Sequence, residues 1–170
     1  EIHSPFANAI SDSPTSILKT HSQIGYVEQD PFFFDNENLE TNLNIQGDDT
    51  LNATWIEKLE LTDFFESLPQ GLKTRIGREG VQPSRGQKIR LAILRALIKK
   101  PDILFVDEPS AGLNESLAEK MLAFLAHEMR HGILVLSEHR SSLAQILRPT
   151  QIVNVEMNYD SDFVTRDCQI

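Results

Sequence analysis

Cysteine is almost missing from this chain of 170 residues. Cys168 is the only one, which excludes an internal disulfide framework and any zinc cluster built on cysteine. Long apolar runs are missing as well. No stretch reaches the 18 or so residues that a bilayer-spanning helix needs, and Glu1, Ile2, His3 and Ser4 do not read as the basic start and apolar core of a secretory signal. Basic charge is the scarcer sign, with 16 Lys and Arg against 25 Asp and Glu and a net charge of -9. That balance argues against nucleic acid as a partner, because binding a phosphate backbone needs a basic face; only a local basic patch stays open. There is no internal repeat and no low-complexity tract. An initiator methionine is also lacking, and a start at Glu1 leads us to expect a piece of something longer.

What is present is enough apolar material, 40% of the residues, for one domain with a proper core. The most legible stretch runs from Ser84 to Asn114. Ser84-Arg85-Gly86-Gln87 has the S-x-x-Q spacing of a capping box, in which the serine hydroxyl and the glutamine side chain satisfy open amides at a helix start. Ile89, Ala92, Ile93, Ala96 and Leu97 then recur at three- and four-residue spacing, which predicts one apolar helix face as far as Lys99-Lys100, where Pro101 forbids continuation. Ile103-Leu104-Phe105-Val106 is a short continuous apolar run, the pattern of a parallel strand buried on both faces. It delivers Asp107 and Glu108 to the carboxyl end, where open α/β sheets bind ligands.

Before this stretch, residues 1 to 23 read as loop with a short helix from Ser16. Ile24-Gly25-Tyr26-Val27 reads as a strand leading to Gln29, and Asp30-Pro31 forces a turn ahead of Phe32-Phe33-Phe34, a triplet divided between core packing and an interaction surface. Residues 39 to 68 carry the spacing of short amphipathic helices. Thr74 to Gly80 is glycine-rich and charged, and is expected to be exposed linker. After Glu108 comes a loop, then Asn114 as N-cap of a helix with Leu117, Ala118, Met121, Leu122, Leu125 and Met129 on one side. Ile133 to Leu136 reads as a second buried strand with Ser137-Glu138-His139 at its end, followed by a short helix through Leu143, Ile146 and Leu147. Gln151 to Val155 reads as a third strand, and Phe163-Val164 as an edge strand. The alternation argues for an α/β core around a parallel sheet.

In this order the residues resemble the nucleotide-binding domain of an ABC transporter of the exporter type. Residues 24 to 32 (Ile-Gly-Tyr-Val-Glu-Gln-Asp-Pro-Phe) resemble the Q-loop and Thr74 to Gly80 the exporter x-loop. Ser84 to Gln87 resemble the signature motif, Ile103 to Glu108 Walker B with its glutamate, Ala111 to Asn114 the D-loop, and His139 the switch histidine. The set spans about residues 24 to 140, and its order is specific where any one motif alone is weak. The resemblance implies a partial P-loop NTPase, RecA-like core with a parallel sheet plus an α-helical signature subdomain. Residues 1–38 would be the Q-loop part of the core, 39–100 the helical subdomain, and 101–170 the Walker B, D-loop and switch-histidine part.

The implied function is to bind and hydrolyse ATP with Mg²⁺ in an exporter. The implied partners are a second nucleotide-binding domain and a transmembrane domain, and the implied place is the cytoplasmic face of a membrane. Glu108 would activate water and His139 would meet the γ-phosphate; Asp107 and Gln29 would serve the metal. Ser84, Arg85, Gly86, Gln87 and Asn114 would serve the nucleotide, the signature residues completing ATP held by the opposite subunit. Taken singly, such residues are more often a solvated strand end, a surface histidine or a simple helix cap. Departures from the pattern are Pro83 for leucine, Arg85 for glycine and Asn114 for aspartate. The Walker A pattern G-x-x-x-x-G-K-[ST] occurs nowhere in the chain, so the stretch alone is expected to be inactive and to begin downstream of that loop. A second reading, motivated by Arg85 and Asn114, is a degenerate, non-catalytic module that forms a regulatory half-site with a partner.

Overall fold

The computed structural model describes residues 23–46, 51–140, 142, 143 and 147. The expected helix from Ser16, the strands at 151–155 and 163–164 and most of the helix through Leu143 to Leu147 lie outside the described residues. Among the described residues, three parallel strands form the sheet in the order β1-β2-β3: β1 Ile24–Val27, β2 Ile103–Asp107 and β3 Ile133–Ser137. The register sets Tyr26 beside Phe105 and Phe105 beside Val135, and it sets Asp107 beside Ser137.

Among the described residues, four short helical segments separate β1 from the long helix: α1 (Leu39–Asn42), α2 (Ala53–Lys58), α3 (Thr62–Glu66) and a 3₁₀ turn at Gly71–Lys73. The long helix α4, Arg85–Ile98, starts at Ser84 with both halves of the capping box formed: Ser84 Oγ accepts from the Gln87 amide at 3.2 Å and Gln87 Oε1 from the Ser84 amide at 2.8 Å. Its end has a left-handed Lys100 (φ 49°) ahead of Pro101, a stop any continuing helix would violate. The helix α5, Glu115–Glu128, is capped by Asn114 Oδ1 on the Leu117 amide at 2.9 Å.

Two expectations about burial need correcting. In α4 the buried set is Ile89, Leu91, Ala92, Ile93, Leu94, Leu97 and Ile98, so the helix is enclosed on most sides instead of showing one apolar face. It lies against β1 and within the same cluster as Leu39, Leu43, Leu59, Leu61 and Phe64 of the helical segments. The strands, conversely, are not buried on both faces. Leu104 and Val106 are buried, whereas Ile24, Tyr26, Phe105, Ile133 and Val135 are exposed. The strands advance in one direction across the sheet, and for parallel strands the rule of right-handed crossovers puts both connections on the same face.

The Thr74 to Gly80 segment also differs from the expected exposed linker. Thr74 and Ile76 are buried, because this backbone is knitted to the segment before α1. Ile76 N–H donates to Glu37 O at 2.9 Å and Leu39 N–H to Thr74 O at 3.0 Å. Thr74 and Ile76 therefore face inward, as alternate residues of a strand pair do, while Arg75 and Arg78 to Gly80 are exposed as expected.

Candidate functional site

The carboxyl ends of the three strands bring together four of the residues singled out in the sequence. Gln29 follows β1 by two residues, Asp107 ends β2, Glu108 comes next, and His139 lies two beyond β3. Glu108 is held from both sides: its Oε2 accepts a hydrogen bond from Gln29 Nε2, and its Oε1 lies 2.5 Å from His139 Nε2. The Glu108 side chain is 23% exposed and the histidine 84% exposed, so the carboxylate is sheltered while its partner stands in solvent. Glu108 adopts φ 44°, a left-handed turn that takes its side chain out of the strand's alternation. Its backbone is fixed by donation to Ser137 Oγ at 3.0 Å and to Ser137 O at 3.2 Å. Ser137 Oγ in turn donates to Asp107 Oδ1.

The remaining sequence-predicted residues form a second group. Ser84, Arg85, Gly86 and Gln87 occupy the start of α4, with Ser84 and Arg85 exposed. The capping box consumes the Ser84 and Gln87 amides, leaving those of Arg85 and Gly86 at the positive end of the helix dipole. Asn114 stands at the start of α5. The two helix starts approach each other through Gly86, where a Cβ would come within 2.9 Å of Leu113 Cδ2, and through Gly112, where one would come within 3.9 Å of Arg85 Cδ. At 86 the neighbour is the free end of the Leu113 side chain, which can turn aside, whereas φ 75° favours glycine at 112.

A third feature is the aromatic turn. Phe32 and Phe34 are exposed and meet edge to face with ring centroids 5.0 Å apart; Phe33 is partly buried. The triplet thus divides between surface and core. Arg95 of α4 holds this turn, with Nη1 donating to Phe32 O at 3.0 Å and Asn42 O at 3.3 Å and the guanidinium 5.0 Å from the centre of the Phe33 ring. Burial pushes the Arg95 guanidinium below its usual range, partly offset by Glu28, and burial does the same to Arg90, offset by Glu60. Both stay charged, since guanidinium starts so far above neutral pH.

The family model for ABC transporters matches residues 5–111. The chain belongs to the ABC transporter family. Curated relatives place it in the exporter branch. It is 34% identical over 122 residues to P-glycoprotein 14 of Caenorhabditis elegans, covering 70% of this chain and 9% of that one. It is 31% identical over 145 residues to the mitochondrial ATP-dependent permease MDL1 of Saccharomyces cerevisiae, covering 81% and 20%. ABC transporter B family member 2 of Dictyostelium discoideum is 37% identical over 137 residues, covering 76% and 9%. The chain therefore spans between about a tenth and a fifth of the length of these relatives. Its mixed α/β fold, with a three-stranded parallel sheet among the described residues, is that of a partial P-loop NTPase core.

Within this ABC domain, sequence reasoning missed Ser137, Asn42, Arg95 and Arg140. Ser137 was findable, because aligning the ends of two parallel strands puts it opposite Asp107. Asn42 had a weaker signal: a polar residue at the i+3 position from Leu39 sits on the buried face. Arg95 and Arg140 act on backbone carbonyls far away in sequence, and no local pattern reports that.

Proposed function

We propose that the full-length protein hydrolyses ATP at the carboxyl ends of β1, β2 and β3 and uses the reaction to move a solute across a membrane. The observation that carries the reading is the Glu108 carboxylate gripped between Gln29 and His139. A carboxylate sheltered at the end of a parallel strand, with an amide on one oxygen and an imidazole on the other, suits activation of a water molecule beside a phosphate. Glu108 accepts the proton of the attacking water, Gln29 orients that water, and the exposed His139 turns from Glu108 to the terminal phosphate.

Asp107 and Gln29 are the residues that would hold Mg²⁺. The described residues contain no group of three or more acidic, histidine or cysteine side chains that could hold a metal alone. That sparse oxygen donor set fits magnesium, which keeps several waters and takes most of its other ligands from phosphate. When bound, the ion would neutralise charge on the phosphates. Ser137 serves by orienting the Asp107 carboxylate.

The start of α4 serves a different nucleotide. The helical part, 39–100, presents the Arg85 and Gly86 amides and the Arg85 guanidinium to ATP held by a second nucleotide-binding domain. Asn114 caps α5 as an aspartate would, and so keeps the loop geometry while giving up a charge. Exposed Phe32 and Phe34 form the dock for the transmembrane domain; no described helix is long and apolar enough to cross a membrane. The 170 residues alone, holding no Walker A pattern, lack the lysine and amide cradle for phosphate and are inactive.

The test is Glu108→Gln in the full-length protein, measured as phosphate release in lipid vesicles. Loss of a general base lowers kcat by about 10²- to 10⁴-fold, with ATP binding retained because glutamine keeps the shape. Unchanged turnover overturns this reading in favour of a regulatory half-site.

A further inference from the structure

His139 presents a mechanical problem. Its side chain is 84% exposed, so no packing around the ring fixes its direction. Besides the 2.5 Å contact with Glu108 Oε1 itself, what holds it in place acts through the backbone on either side. The residue after it is tied down by three side-chain bonds. Arg140 Nε donates to Ser110 Oγ at 3.1 Å, Nη2 donates to Ser110 O, and Nη1 reaches Leu113 O at 3.5 Å. The residue before it is Glu138, whose side chain is only 6% exposed; its Oε1 accepts from the Arg140 amide at 2.9 Å and lies 3.9 Å from Nε. The other Glu138 oxygen is buried without a hydrogen-bond partner among the described residues. A buried carboxylate in that condition is costly unless the adjacent guanidinium stays in place.

The loop that Arg140 grips is the one that leaves Glu108. Ala111 N–H donates to Glu108 O at 3.0 Å, Leu113 N–H donates to Ser110 O at 3.1 Å, and Ser110 is buried. One guanidinium therefore ties the flank of His139 to the loop whose first residue follows Glu108. Three of its donors end on two residues of that loop, a fixed-fork geometry that lysine cannot reproduce.

We propose that Arg140 is a positioning residue: by clasping Ser110 and Leu113 it sets His139 against Glu108 and thereby governs the rate of the chemical step. This rests on the ATPase reading above. Its effect is on geometry, not on substrate affinity, because Arg140 touches neither Glu108 nor the start of α4 directly.

The experiment uses the full-length protein in lipid vesicles, comparing wild type, R140A, R140K, H139A and the double variant H139A/R140A. R140A is expected to lower kcat by about 10- to 100-fold, the scale of a misplacement of about 1 Å, with KM for ATP within about twofold of wild type. R140K restores little of it. On the H139A background the same R140A change costs less than about threefold, because the residue it positions is gone. A role confined to folding predicts something else, namely fewer active molecules and an equal proportional loss on both backgrounds, and that result overturns the proposal. So does a kcat for R140A within twofold of wild type. Should R140A fail to accumulate, R140K and H139A/R140K carry the same comparison. Wild-type protein without ATP turnover overturns the ATPase reading itself and this proposal with it, whereas turnover that ignores Arg140 overturns only the latter.

Discussion

Replacing Asn42 by alanine should weaken the fold chiefly through lost hydrogen bonds. Asn42 is 2% exposed. Its Oδ1 accepts from Phe34 N–H at 2.7 Å, and its Nδ2 faces the carbonyls of Phe34 at 3.2 Å, Glu37 at 3.4 Å and Asn38 at 3.2 Å. The short bond to Phe34 dominates, because one amide nitrogen shared among three longer contacts gives little to each. A buried donor left without an acceptor costs roughly 1–3 kcal/mol. Phe34 is half exposed, so water can reach part of the site, and the expected loss is about 2 kcal/mol at the centre of that range.

Urea unfolding of the nucleotide-binding domain, followed by circular dichroism, reads this directly. With a denaturant slope of about 1–3 kcal/mol/M, the midpoint falls by roughly 1 M and the slope stays put. Asn42→Asp divides the effect: it keeps the acceptor for Phe34 N–H but aims a carboxylate at three carbonyls, so it should be no better than alanine. A midpoint shift corresponding to less than about 0.5 kcal/mol, an ordinary surface value, for Asn42→Ala would refute the reasoning.

Two other outcomes concern the ends of the long helix and the strand starts. Ser84→Ala removes the side chain that accepts from the Gln87 amide and should cost about 1 kcal/mol of stability; Ser84→Asp restores the acceptor, and equal unfolding midpoints for alanine and aspartate would contradict the capping account. Gly132→Ala sets a Cβ 2.6 Å from Asp102 O and 2.9 Å from Met129 Cε. The first of these is backbone, and Asp102 O already accepts from Ile133 N–H at 2.9 Å. Forcing β2 and β3 apart there should cost about 1–3 kcal/mol, measurable as a lower thermal midpoint, and a midpoint at the wild-type value would count against it.

The ends of elements were the most legible part of the fold. Ser84 with Gln87, Asn114, and Pro101 after Lys100 each carry their chemistry within three or four residues, and the helices begin and stop accordingly. Strand cores were legible as strands but not as to burial. The run Ile103 to Val106 looks the same whether one face or two are covered, since that depends on which way the crossovers wind. At the site, Asp107 and Glu108 stood out as the carboxyl end of a strand, whereas Gln29 and His139 could be named only because the stretches around them resemble family motifs; all four lie at or within two residues of a strand end. Their clasps could not: Arg95 reaches 63 residues back to Phe32 and Arg140 reaches 30 residues back to Ser110. Arginines bonded to carbonyls leave no periodicity, and their targets are main-chain atoms that every residue possesses.

The left-handed backbone at Glu108 sets local stability against what the position has to carry. For a residue with a Cβ that conformation costs about 1–2 kcal/mol, which glycine avoids and asparagine reduces. Either substitution would therefore ease the turn after β2 while removing the carboxylate that we propose takes a proton from water. Glutamine relieves nothing, since it keeps the same Cβ. Stability engineering scored by folding alone would pick position 108 early, and would trade away the carboxylate to which Gln29 and His139 are bonded.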